Sequence, residues 1–294
     1  MTSQRPHVLL KFISLFSVVR VNNIFLMVLA QYLAAIYVLN GSLSFKEVLF
    51  DKSLILIVFS SAASIAAGYI INNFYDRKKD FINRPHKSMI DSMVSDQTKL
   101  GVFFATSALA VVLAYIVSVR ALFFFGSYIF GMWIYSAFLR RYPILSNIIS
   151  SLLVVTPFLA ITIHYRSFDT VIFVQAFFLL LLLSSKKIVK DMKSLQGDMA
   201  ANLLSIPLKY GIRSSKNLFY GLLFFVEAVS LCIVNYFLIG HMIYYFWLSA
   251  LVVPFMMFLM KNATTTRQFW LIDNTFKVWV VIGVLSLALF DATI

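Results

Sequence analysis

The chain has 294 residues, 61% of them hydrophobic and 13% charged, with a mean hydropathy of +0.88; these values exclude an ordinary soluble domain. The formal net charge of +13 raises the question of a nucleic-acid partner, but the placement of the basic residues, given below, explains it without one. The one cysteine, Cys232, lies in an apolar block, which excludes a disulfide framework and a cysteine metal site.

Apolar blocks recur at about 17–22 residues, the length of a bilayer-crossing helix. They predict an all-α, polytopic bundle of about nine spans, at roughly 22–40, 53–72, 101–118, 121–139, 144–163, 169–185, 217–238, 241–260 and 274–292. The first block begins after Arg20 and many follow it, so it does not read as a cleaved signal peptide. The stretch from Gly41 to Lys52 reads as an external loop, and the short joins at Arg120, Pro143 and Gly240 suit antiparallel neighbours. Trp133, Tyr142, Trp247 and Trp270 near span ends read as interfacial anchors.

Two joins are long and polar, 73–99 and 186–216. Both follow even-numbered spans and so share one side of the membrane. Of the 25 basic residues, 21 fall on that side and four (Lys46, Lys52, Arg120 and Arg166) on the other. The positive-inside rule makes the first side cytoplasmic, with the N-terminus there and the C-terminus outside. An integral protein of a bacterial or archaeal-type inner (plasma) membrane is expected, with the lipid bilayer as partner and no nucleic acid.

The first long join opens on Asn72-Asn73-Phe74-Tyr75-Asp76-Arg77-Lys78-Lys79-Asp80. At four-residue spacing Asn72, Asp76 and Asp80 drift only slowly around a helix and share a face. The second join opens on a similar acidic cluster, with Asp191 and Asp198 seven apart and Lys187 and Ser194 near the same stripe. Carboxylates where helices leave the bilayer are partly desolvated, which is costly without a cation or a partner. Hard cations such as Mg²⁺ take carboxylate and phosphate oxygens together, so a diphosphate is the natural polyanion, with Arg77, Arg84, Lys87, Lys187 and Lys190 nearby to take its remaining charge. A solvated loop, or a self-paired run Asp-Arg-Lys-Lys-Asp, is the plainer alternative for either cluster alone.

Asn72-Asn73-x-x-Asp76-x-x-x-Asp80, followed by Ile82-Asn83-Arg84-Pro85, resembles the first signature of the UbiA-type intramembrane prenyltransferases. Lys187-Ile188-Val189-Lys190-Asp191-x-Lys193-Ser194-x-x-Gly197-Asp198, with Leu204, Pro207 and Gly211 after it, resembles the second. The branches most similar to it are chlorophyll synthase and digeranylgeranylglyceryl-phosphate synthase. Arg20 and Asn23 fit the family's basic-x-x-Asn pattern, and Tyr135, Arg140 and Asn147 its Tyr, basic and Asn positions. The resemblance implies one prenyltransferase domain over residues 1–294, with the two motif loops capping a central cavity. It implies Mg²⁺ as cofactor, held with diphosphate by Asn72, Asp76, Asp80, Asp191 and Asp198. Asn23, Asn72, Arg84, Lys87, Tyr135, Arg140 and Lys187 are the implied diphosphate or acceptor contacts, and Asp191 or Asp198 the implied catalytic proton acceptor. The substrates would be a polyprenyl diphosphate and a lipophilic or aromatic acceptor, a glycerol-phosphate lipid or tetrapyrrole before a hydroxybenzoate or naphthoate.

The sequence departs from the family pattern at Asn73, where the usual residue is Asp, and at Ser194 and Gln196, where acids are common. Those departures keep open a non-catalytic prenyl-lipid binder. A transporter would need ionisable groups at mid-membrane depth, and only Glu227 is such a group. His164 and His241 sit away from both motifs, and Met256, Met257 and Met260 read as core filler. Asp91 and Asp96 read as loop solvation or a helix cap, and Asp273 and Asn274 as the start of span nine.

Overall fold

The computed structural model describes residues 8–39 and 44–291. Arg5, positions 40–43 of the first expected span and external loop, and position 292 of the last span lie outside the described residues. The described residues form helices α1 (Val8–Val19), α2 (Val21–Leu33), α3 (Phe45–Leu49), α4 (Lys52–Asn83), α5 (Pro85–Asp91), α6 (Asp96–Val117), α7 (Val119–Ala137), α8 (Pro143–Tyr165), α9 (Thr170–Lys193), α10 (Leu195–Ala200), α11 (Ile206–Tyr236), α12 (Ile243–Lys261) and α13 (Thr266–Ser286), with no strand among them.

Eight helical segments among the described residues, those of α2, α4, α6, α8, α9, α11, α12 and α13, are long and apolar enough to cross a membrane. The remaining expected span, 121–139, is helix α7 of 19 residues. Arg120 in its first turn, with its glycine, serine and tyrosine residues, lowers its apolar content and sets it apart from the eight. Large apolar side chains such as Phe59, Phe123, Phe224 and Leu251 point outward from these helices, as lipid contact requires.

Local chemistry sets the helix starts. Ser95 accepts from the Thr98 backbone N–H and caps α6; Ser118 does the same for Ala121 and α7. Thr265 and Gln268 form a reciprocal capping box at α13. Pro85 and Pro143 occupy the first turns of α5 and α8, where a missing N–H costs nothing. Gly211, at φ 82°, breaks the α11 helix near its start, a conformation open to glycine and strained for other residues.

The chain divides into two compact units. The first comprises Met1–Val28, Leu56–Leu139 and Gln196–Leu203, and the second Leu29–Ile55, Arg140–Leu195 and Leu204–Ile294. In the first, the Met132 side chain of α7 packs onto Gly68 of α4, where an added Cβ would meet its sulfur. In the second, Phe178 makes edge-to-face contacts with Tyr245, Phe246 and Trp279 at centroid distances of 5.2 to 6.2 Å. Met256 and Met260 are fully buried in that core, as expected of filler. His164 Nε2 lies 3.3 Å from Asp51 Oδ2, also in this unit, and Glu227 is half-buried within α11.

Both long joins are largely helical. Helix α4 has 32 residues, or about 48 Å at 1.5 Å per residue, against a hydrocarbon core of about 30 Å. Its last turns, carrying the first motif, therefore extend past the apolar layer as ordered helix. The second join holds the end of α9, all of α10 and the start of α11.

Candidate active site

The end of α4 supplies the first group. Asp76 and Lys79 are buried, and Asn72 and Asp80 half-buried. Helical geometry at about 100° per residue puts Asn72, Asp76, Lys79 and Asn83 in one narrow stripe, whereas Asp80 sits about 80° round from Asn72. The stripe has a partner within the same unit. Lys79 is ion-paired to Asp198 of α10, whose side chain is 1% exposed. Next to it the Gly197 N–H donates to Asn83 Oδ1 at 3.3 Å. A Cβ on Gly197 would lie 2.1 Å from Asn83 Nδ2 and 2.7 Å from the Lys79 carbonyl oxygen, so only glycine lets α10 approach α4 this closely. Lys79 and Asn83 were not among the expected site residues. Their 4-3-4 spacing with Asn72 and Asp76 is the signal that identifies them.

A second group forms around Asp91, at the end of α5. Its carboxylate is 4% exposed. Ser17 Oγ of α1 donates to Oδ1 at 2.7 Å, Asn73 Nδ2 of α4 donates to Oδ2 at 2.9 Å, and Lys87 Nζ lies 3.4 Å from Oδ2. The expectation of a solvated loop acid is corrected: three donors from three helices make burial of this charge tolerable. Asn73 is part of the reason. An Asp at position 73 would set a second carboxylate against Asp91, whereas the amide supplies a donor. Burial holds the Lys87 amine below the ordinary lysine range, and the neighbouring Arg20 charge adds to this, while Asp91 and Asp80 act in the opposite sense. Arg20, in the left-handed conformation between α1 and α2, lies over the Tyr69 ring at 5.1 Å. Asn23 Nδ2 donates to the Tyr69 hydroxyl at 3.0 Å. Two expected site residues, Asn23 and Lys87, are thus tied to the α4 region, and Arg84 is half-buried at the residue before α5, with no side-chain capping bond.

The second unit holds the rest. Asp191, 3% exposed, accepts from Lys187 Nζ at 2.8 and 2.9 Å, one turn earlier on α9. The expected common face of Asp191 and Asp198 does not form: α9 ends at Lys193, Ser194 caps it, and Asp198 belongs to the separate helix α10. Asp273 does not open its span, since α13 starts about two turns earlier at Thr266. It is buried and paired with Lys193, and with Lys277 at 3.3 Å. Asn147 Nδ2 donates to the Ser184 carbonyl at 3.1 Å. Arg140 of this unit lies half-buried in the turn Leu139–Arg141, and Tyr135 is buried on α7 of the first unit.

The candidate metal ligands on α4, the side chains of Asn72, Asp76 and Asp80, can all present oxygen. Among the described residues no three carboxylate, imidazole or thiol groups stand close enough together to hold an ion by themselves. Mg²⁺ does not require such a cage, because it is commonly held by one or two carboxylates together with substrate phosphate oxygens and water. Asn72, Asp76 and Asp80 fit that kind of site. Asp191 and Asp198 each already carry a lysine ammonium.

The sequence model of the UbiA prenyltransferase family matches residues 21–288. Digeranylgeranylglyceryl phosphate synthase of Thermococcus sibiricus is 27% identical over 181 residues, and the match spans 60% of this chain and 63% of that relative's length. The enzyme of the same name from Methanobrevibacter smithii is 24% identical over 74% of this chain and 73% of its own. Among solved structures, a UbiA homologue from Archaeoglobus fulgidus bound to GPP and Mg²⁺ superposes with a TM-score of 0.67 at 15% identity, covering 94% of this chain and 99% of the other. A structure from a study of digeranylgeranylglyceryl phosphate synthase gives a TM-score of 0.70 at 18% identity, covering 95% and 97%. At these identities the structural likeness establishes the fold, and with the match over residues 21–288 the chain belongs to the UbiA prenyltransferase family.

Proposed function

We propose that the protein transfers a polyprenyl group from its diphosphate to a lipophilic acceptor, releasing diphosphate with the help of Mg²⁺. A glycerol-phosphate lipid is the proposed acceptor class, supported by the names of the relatives. The observation that carries this reading is the α4 stripe of Asn72, Asp76, Lys79 and Asn83, with Asp198 of the second signature tied to Lys79.

In this reading Asn72, Asp76 and Asp80 would hold the metal, with Asp191 and Asp198 contributing once their lysines turn to the phosphate. Bound Mg²⁺ would supply charge neutralisation that makes diphosphate a better leaving group. Lys87, Arg84, Arg140 and Lys187 take up the remaining phosphate charge, and Asn23 and Tyr135 orient substrate. As the allylic carbon–oxygen bond breaks, both electrons leave with the diphosphate oxygen. Aromatic faces stabilise the allylic cation. The acceptor hydroxyl oxygen then bonds to that carbon, and its proton passes to the carboxylate of Asp191 or Asp198. Residues 1–294 act as one prenyltransferase domain, with N-terminus and motifs on the cytoplasmic side of a prokaryotic-type plasma membrane and the C-terminus outside.

The test is an assay on membranes containing the protein. Labelled geranyl, farnesyl and geranylgeranyl diphosphates are offered against a panel of glycerol-phosphate lipids, tetrapyrrole acids and hydroxybenzoates, with and without Mg²⁺. Product with a glycerol-phosphate lipid that disappears on chelation is expected. The lysines on Asp191 and Asp198 favour one second reading, a prenyl-diphosphate binder. Saturable binding without product for any acceptor would establish it.

A further inference from the structure

We propose that Asp91 is a positioning residue, the buried anion that fixes Lys87, α1 and α5 against the metal-binding end of α4. The inference rests on the prenyl-transfer reading only for the purpose of this positioning, since the contacts themselves are independent of it. Its carboxylate oxygens are taken up by Ser17, Asn73 and Lys87. Those donors leave it little capacity to act as a ligand itself, so its influence runs through the groups it holds. Lys87 sits four residues before it on α5, within electrostatic range of Asp80 and Arg20 as well. Ser17 sits three residues before Arg20, which lies over Tyr69. Asn73 follows Asn72 directly on the first-motif helix. One carboxylate thereby links α4, which carries Asn72, and α5, which carries Lys87, to α1, which leads through Arg20 to Asn23.

The pairing of Asn73 with Asp91 also gives the chain's unusual Asn73 a specific meaning. The amide and the acid form a complementary pair, and each excludes its partner's type. Two carboxylates at these positions would repel within hydrogen-bonding distance. Exchanging the two residues keeps one acid, one amide and an acceptor for Lys87. Such an exchange separates a coupled pair from two independently useful residues.

The experiment uses the full chain in lipid nanodiscs and four variants: Asp91→Asn, Asn73→Asp, the double exchange Asn73→Asp/Asp91→Asn, and the milder Ser17→Ala. Three readouts are taken: the thermal midpoint, the rate of Lys87 acetylation followed by mass spectrometry, and KM against kcat for geranylgeranyl diphosphate with Mg²⁺. For Asp91→Asn, Lys87 acetylation is expected to rise severalfold and KM about tenfold, with kcat within about twofold, the scale of one charged hydrogen bond. Asn73→Asp is expected to lower the thermal midpoint more than Asp91→Asn does, because it sets two carboxylates against each other, while Lys87 acetylation stays at or below the rate of the unaltered chain. The double exchange is expected to recover most of the loss. If Asp91→Asn does not fold, Ser17→Ala still tests the claim through a smaller rise in Lys87 acetylation. Losses that simply multiply in the double exchange, or Lys87 acetylation unchanged in both Asp91→Asn and Ser17→Ala, would overturn the proposal. Absence of turnover in the unaltered protein would overturn the prenyl-transfer reading instead, and the midpoints and acetylation rates would still decide the role of Asp91.

Discussion

The two carboxylates of the second signature are buried to a similar degree and held in opposite ways. Asp191 is closed by Lys187 from its own helix, one turn away. Asp198 is closed by Lys79 from a helix more than a hundred residues earlier in the chain. The Lys187 side chain is 17% exposed and the Lys79 side chain 9%. A local pair of this kind forms wherever the helix forms. A long-range pair forms only when α10 docks on α4, so Asp198 reports on tertiary structure as well as on chemistry.

The larger effect is expected at Asp198. Asp198→Asn leaves the Lys79 ammonium buried without its counter-charge, and a loss of about 3–5 kcal/mol of stability is expected. Asp191→Asn leaves Lys187 with a shorter route to water, so a loss of about 1–2 kcal/mol is expected. Denaturant unfolding of both variants in the same detergent checks the order. Equal losses would remove the distinction between the two acids.

Gly197→Ala strikes the same docking sterically, because its new Cβ would meet the Lys79 backbone oxygen as well as the Asn83 side chain. A cost of about 1–3 kcal/mol follows from overpacking. Gly101→Ala on α6 is the control. Nothing lies within 4 Å of its added Cβ, and alanine in a helix interior is expected to stabilise by about 0.5–1 kcal/mol. Thermal midpoints that move in opposite directions confirm that close approach, and not loss of glycine as such, matters at Gly197.

The smallest effect concerns Lys87. Its folded-state affinity for protons is depressed, mainly by burial. The unfolded chain therefore binds the proton more tightly in the interval between the folded value and the ordinary lysine range, and this group's contribution to stability rises with pH through that interval. Diphosphate contact has the opposite sign, because it needs the charged amine. KM for the prenyl diphosphate is expected to start rising at a lower alkaline pH than an ordinary lysine would give, and Lys87→Arg should flatten that rise. A pH series of KM in the two proteins checks this.

What the sequence revealed follows the same division between local and long-range contacts. The spans and the common face of Asn72 and Asp76 are local, and helical spacing suffices to find them; the pairing of Lys187 with Asp191 is equally local, though the sequence reading placed Lys187 only near the same stripe. Asp91 looked like a loop acid because its donors Ser17 and Asn73 come from α1 and α4, far away in sequence. Asp273 looked like a helix start because Lys193, its partner, is 80 residues earlier. The break after Lys193 was also hidden. Ser194 is a weak stop signal, and the run through Asp198 keeps a helical appearance. Lys79 and Asn83 share the 4-3-4 spacing of Asn72 and Asp76, whereas the even i,i+4 spacing of the acids points to Asp80.

The most direct test of the central claim is Mg²⁺-dependent prenyl transfer by the unaltered chain beside Asp76→Ala and Asp191→Ala, using labelled geranylgeranyl diphosphate and a glycerol-phosphate lipid acceptor. Product from the unaltered chain, with a loss of about a thousandfold or more in each variant, is predicted. Full turnover in both variants would contradict the assignment of the α4 face and Asp191 to the reaction.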